Sequence, residues 1–63
     1  MRPRVGQRVR RTAPHKRFPT GIFGTIDVVH ANGIDFWVAT DEGGCCGWTT
    51  FEQWVPIVVE ART

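Results

Sequence analysis

The sequence predicts an all-β domain of five short strands curled into a barrel, and three observations predict it. Two apolar, β-branched runs flank Ala31-Asn32-Gly33 inside the stretch Thr20 to Gly47, and Asp41-Glu42-Gly43-Gly44 closes the second run. Prolines and glycines punctuate the rest at short intervals. Sixty-three residues make one domain, and three Trp with four Phe supply the large side chains that a core this small needs. A chain of this length buries only about 60% of the surface its unfolded form exposes, so packing has to be efficient.

The elements follow in order. Residues 1–4 form a short basic lead-in containing Pro3, expected to fray. Val5 to Arg11 reads as a first strand, with Val5, Gln7, Val9 and Arg11 on one face and Gly6, Arg8 and Arg10 on the other. Thr12 to Thr20 carries Pro14 and Pro19, a spacing that defeats helix and strand alike and predicts a long loop. Loops of such length in compact domains often carry function. Ile22 to His30 is the second strand. Its alternation puts Gly24, Ile26, Val28 and His30 on one side and Phe23, Thr25, Asp27 and Val29 on the other. Gly24 suggests a bend or a close backbone approach.

Asn32-Gly33 is a strong hairpin signal, because both residues tolerate positive φ. Ile34 to Thr40 is the third strand, with Ile34, Phe36, Val38 and Thr40 as the core face and Trp37 turned to the surface. Cys45 to Thr50 follows as a fourth strand with Gly47 as a twist point. Thr49 or Thr50 then caps a single 3₁₀ turn over Phe51-Glu52-Gln53-Trp54. Pro56 confines the last strand, Val55 to Glu60, to an edge, and residues 61–63 are tail.

Composition excludes several classes of function. No apolar run approaches the roughly 20 residues of a membrane span, and the basic N-terminus lacks the apolar stretch of a secretory signal. Cys45 and Cys46 are adjacent, so they point to opposite faces of a strand and do not bridge; one buried and one exposed thiol in a reducing, cytoplasmic setting is the expectation. A metal site is not expected, since vicinal cysteines lack the spacer of zinc ligands and only His15 and His30 remain to help. There is no nucleophile elbow and no phosphate loop, and no cofactor or catalytic residue is implied.

Charge is sharply divided. Seven of the eight basic residues lie in the first seventeen positions, whereas from Gly24 onward one base faces six acids. The basic segment either meets an outside polyanion or neutralises the acidic half of its own barrel. The first case is the leading expectation, a non-catalytic binding module in which Arg8, Arg10, Arg11, Lys16 and Arg17 contact nucleic acid phosphates and Phe18 stacks on an unpaired base, with a protein-interaction module as the alternative. The alternative for Phe18 is a lid on the core. A second candidate surface is aromatic. Trp37, Trp48 and Trp54, with Asp35 nearby, suit a protein interface anchored by tryptophan or a cationic ligand, unless the tryptophans close the ends of the barrel. The apolar edge Pro56-Ile57-Val58-Val59 offers pairing to a second copy.

Strand, long loop, three strands joined by tight turns, one 3₁₀ turn and a closing strand: this order resembles the SH3-like small β-barrel over nearly the whole chain. The residues that carry it are Gly6-Gln7-Arg8-Val9-Arg10, Gly24-Thr25-Ile26, Val38 to Gly43, and Trp48 through Trp54. They are similar to KOW and Tudor-like barrels and, more distantly, to the plasmid-type dihydrofolate reductase barrel. That reductase has a Val-Gln-Ile-Tyr run where this chain has Gly47-Trp48-Thr49-Thr50, and the chain has no tyrosine. Peptide-binding SH3 domains have an acidic loop where this one is basic. The resemblance therefore implies a fold and a binding role without catalysis.

Overall fold

The computed structural model of the chain describes residues 2–16 and 18–57. Five antiparallel strands, β1 (Arg8–Arg11), β2 (Phe23–Val29), β3 (Phe36–Thr40), β4 (Cys45–Thr49) and β5 (Trp54–Pro56), form one curled sheet in the order β4-β3-β2-β1-β5. The sheet is a half-barrel, with β4 and β5 as its two edges among the described residues. No described residue is helical, and no helix is long and apolar enough to cross a membrane. Of the last strand expected over Val55 to Glu60, Trp54–Pro56 is formed, and residues 58–63 lie outside the described residues.

The concave face holds the core. Val9, Ile26, Phe36, Val38, Cys46 and Trp54 are buried there, and Phe18, Ile22, Val29 and Phe51 pack against them. Gly24 has to be glycine for a steric reason: a Cβ there would run into Val38 Cγ1 and the Ala39 carbonyl oxygen. The close approach expected at this residue is the contact between β2 and β3.

Several local expectations are corrected. Strand β2 does not alternate throughout. Its register with β3 slips between Ile26 and Val28, so Asp27 is an extra residue. The bulge turns Val28 outward, away from the side of Ile26 that alternation gave it, and packs Val29 against the core. The β2–β3 hairpin is not a two-residue turn with positive φ at both positions, for Gly33 alone takes positive φ, 72°. His30 N–H instead donates to Asp35 C=O, and Gly33 N–H to His30 C=O. Asn32 acts through its side chain: Oδ1 accepts from the N–H groups of Ile34 and Asp35, and Nδ2 donates to Asp35 Oδ2. Ile34 is therefore exposed in the loop rather than part of the strand.

The segment before β5 is a hydrogen-bonded turn over residues 51–53. Thr50 C=O accepts from both Gln53 N–H and Trp54 N–H, and Thr50 Oγ1 accepts from Glu52 N–H as the expected cap. Pro3, expected in a frayed lead-in, is buried, and the Arg4–Gln7 turn leads from it into β1.

Candidate functional site

The first strand splits its arginines by alternation. Val9 and Arg11 point into the concave face, and Arg8 and Arg10 point out. Arg11 is 3% exposed. Its Nε donates to Ala13 C=O at 2.6 Å, and its guanidinium lies 5.5 Å from the Trp54 ring centroid. Carbonyl oxygens and a π face replace water around a buried charge, which also fixes the start of the 12–20 loop to the core. Arg11 thus serves the fold and leaves the basic surface.

Arg8 is also engaged. Its Nη1 donates to Asp41 Oδ1 at 2.7 Å and to Thr25 Oγ1 at 2.9 Å, while Nη2 donates to Asp41 Oδ2 at 2.5 Å. Both groups remain nearly half exposed. The Arg8 hydrogen bonds hold the Asp41 carboxyl below the usual carboxylate range, and Asp41 raises the Arg8 guanidinium in turn. At this point the basic half neutralises its own acidic half. Arg10 lies exposed between its cross-strand partners Phe23 and Val55, and Lys16 is exposed on the loop. Phe18 is half-buried against the core, with its ring 5.1 Å from that of His15. Its position is that of a lid, not an open stacking platform. Arg17 lies outside the described residues.

The aromatic set divides as well. Trp54 has no exposed surface, so it is core and not part of an exposed face. Trp37 and Trp48 are 36% and 52% exposed and meet edge to face, with centroids 5.7 Å apart at 86°. His30 meets Trp48 in the same manner at 5.1 Å. The His30 ring is itself held, because its Nδ1 accepts from Asn32 N–H at 3.0 Å.

Two register slips build this patch. The Asp27 bulge brings Val28 opposite Trp37 on the outer face. On the other side Phe36 pairs Thr49 and Val38 pairs Cys46, so Gly47 and Trp48 together face Trp37. Thr49 and Cys46 both point inward, leaving Gly47 and Trp48 outside. Trp37 is therefore flanked by irregularities on both neighbouring strands, an arrangement that re-aims side chains at sheet surfaces. Asp35 lies at the base of this patch in the Asn32 loop, its carboxylate bonded to Asn32 Nδ2.

Sequence reasoning anticipated Trp37 and Trp48 but missed Val28 and His30. Strict alternation put both on the side of Ile26, which proves to be core, and the Asp27 bulge, which has no sequence signal here, breaks that alternation. The two cysteines divide as expected, Cys46 buried and Cys45 exposed, both free. Elsewhere, a shallow groove runs between Pro3, Ile34, Phe51 and Glu52. No group of three or more His, Cys, Asp or Glu side chains suited to a metal occurs among the described residues. No protein-family model, curated protein or solved structure matches the chain.

Proposed function

We propose that the chain is a non-catalytic binding module that docks a protein partner through Trp37 and Trp48. One observation carries this reading: two exposed tryptophans are braced edge to face on the sheet, between register slips. Exposed indoles held in place lose little entropy on binding, which is why tryptophan dominates interface anchors. The surrounding half of the chain is acidic, so a cationic or amphipathic protein surface suits it better than a polyanion.

The strand order and the turn before β5 support an SH3-like architecture akin to KOW and Tudor-like barrels. Free Cys45 on the surface suits the cytoplasm. Nucleic-acid binding is the second reading. It rests on Arg10 and Lys16 with Arg2 and Arg4, which are exposed, while the one salt bridge among the described residues belongs to Arg8.

Binding to short DNA and RNA from low to physiological salt separates the two. The docking reading expects weak binding with no specificity for either polymer, and none left at physiological salt. Tight binding that falls steeply with salt and disappears in an Arg10→Ala/Lys16→Ala variant overturns it.

A further inference from the structure

The two open edges of the half-barrel differ in chemistry. Edge β5 is blunted by Pro56. Edge β4 reads Cys-Cys-Gly-Trp-Thr, with no proline and no charge, so it lacks two of the usual devices that keep an edge strand unpaired. Among the described residues no strand pairs with its outer side. Thr40 N–H donates to Gly44 C=O at 3.0 Å, so the bonded pairs with β3 fall at 40/44 and 38/46. Cys45 lies between them and turns its N–H and C=O to the free side. Trp48, on this same strand, offers its ring on the outer face beside Trp37.

Apart from the Arg8 guanidinium paired with Asp41, the charged residues of the chain segment around this edge are acidic. Between Gly24 and Ile57 the described residues include Asp27, Asp35, Asp41, Glu42 and Glu52 and no lysine or arginine. Among the described residues the one ion pair to these acids is that of Asp41. The basic strand β1 is three places away across the sheet. A free edge, an indole beside it and an acidic surround fit one occupant.

We infer that β4 pairs with an extended, lysine- or arginine-bearing segment of a partner protein, which adds a sixth strand to the sheet. Backbone hydrogen bonds to the edge supply the pairing. The cationic side chains of the added strand lie over Trp48 or reach the neighbouring carboxylates. The inference rests on the docking reading above and specifies how that face is used. Gly47 marks the place to test it. No atom lies within 4 Å of where its Cβ would stand and its φ is not positive, so a side chain there leaves the fold intact.

A library of random dodecapeptides displayed on phage is selected on the wild-type protein, and the enriched peptides are followed by amide shifts and hydrogen exchange. The expected result is enrichment of peptides with a net excess of Lys and Arg, protection of the Cys45 amide, and loss of at least tenfold in affinity for Gly47→Lys. Gly47→Thr, which adds no charge, should bind within a few-fold of wild type. No enrichment, enrichment without cationic excess, or protection centred on β5 or on the Pro3–Phe51 groove overturns the inference. Self-association that protects Cys45 without peptide also overturns it, since a second copy is then the occupant. If Trp37→Ala abolishes partner capture while the Cys45 amide stays unprotected, the docking reading stands and the added strand falls.

Discussion

Arg8 and Asp41 form a two-pronged ion pair across the sheet, with Nη1 on Oδ1 and Nη2 on Oδ2, and Thr25 Oγ1 accepting a further bond from Nη1. The pair ties the β3–β4 turn to β1, two elements that are not neighbours in the sheet. It also removes a cation from the surface that composition alone assigns to phosphate binding.

A pH dependence follows. The Asp41 carboxyl is held low in the folded chain, chiefly by its hydrogen bonds from Arg8. The pair therefore stabilises the fold above the ordinary carboxylate range, and the gain is lost as pH falls through the depressed value. Urea midpoints for wild type and Asp41→Asn should differ at neutral pH, with the variant lower, and converge as acid protonates the Asp41 carboxyl. Added salt should narrow the same gap. Because Asp41→Asn frees Arg8, residual polyanion binding should rise in this variant, and a fall would assign Arg8 another role.

Gly24→Ala places a methyl group against Val38 Cγ1 and the Ala39 carbonyl. Overpacking of this kind costs typically about 1–3 kcal/mol. Thermal unfolding should show a lowered Tm with the sheet otherwise retained. An unchanged Tm would mean that β2 and β3 are farther apart than described.

Asn32 separates two hairpin mechanisms. A turn needing positive φ at Asn32 would accept glycine gladly. The observed turn uses the Asn32 amide for three hydrogen bonds, so Asn32→Gly and Asn32→Ala should both destabilise by about 1–2 kcal/mol. Chemical denaturation reads the difference directly, and a neutral Asn32→Gly would restore the two-residue turn.

Arg11→Ala should lower stability by about 1–3 kcal/mol, since Ala13 C=O loses its donor and Trp54 its covering guanidinium. The salt slope of any polyanion binding should not change with it. The measurement pairs a urea titration with binding at two salt concentrations, and a changed slope would return Arg11 to the surface.

Much of the fold was legible because its signals are local. Pro14 and Pro19 break the chain where the loop lies, glycines punctuate the turns, and Phe36 and Val38 alternate with Trp37 on a regular strand. Gly24 was readable as a close approach for the same reason. The misreadings arise where tertiary pairing overrides the two-residue period. Val28 and Val29 exchange faces because of one extra residue in β2, and nothing in Ile26-Asp27-Val28-Val29 announces it. The candidate site was half legible. Trp37 followed from alternation, whereas the Trp48–His30 contact depends on the second slip and on the Asn32 loop. The fates of Arg8 and Arg11 depend on partners 33 residues on, at Asp41, and on Trp54 beneath β1, and composition counts neither.

The central claim is that the tryptophan pair, not the basic strand and loop, is where a partner docks. Its most direct measurement is the dissociation constant of a captured and purified protein partner, read by calorimetry at physiological salt. Trp48→Ala should weaken binding by at least about tenfold, as truncating an interface anchor does. Arg10→Ala/Lys16→Ala should leave it within about twofold. Full affinity in Trp48→Ala, with binding lost in the basic-residue variant, would contradict the account.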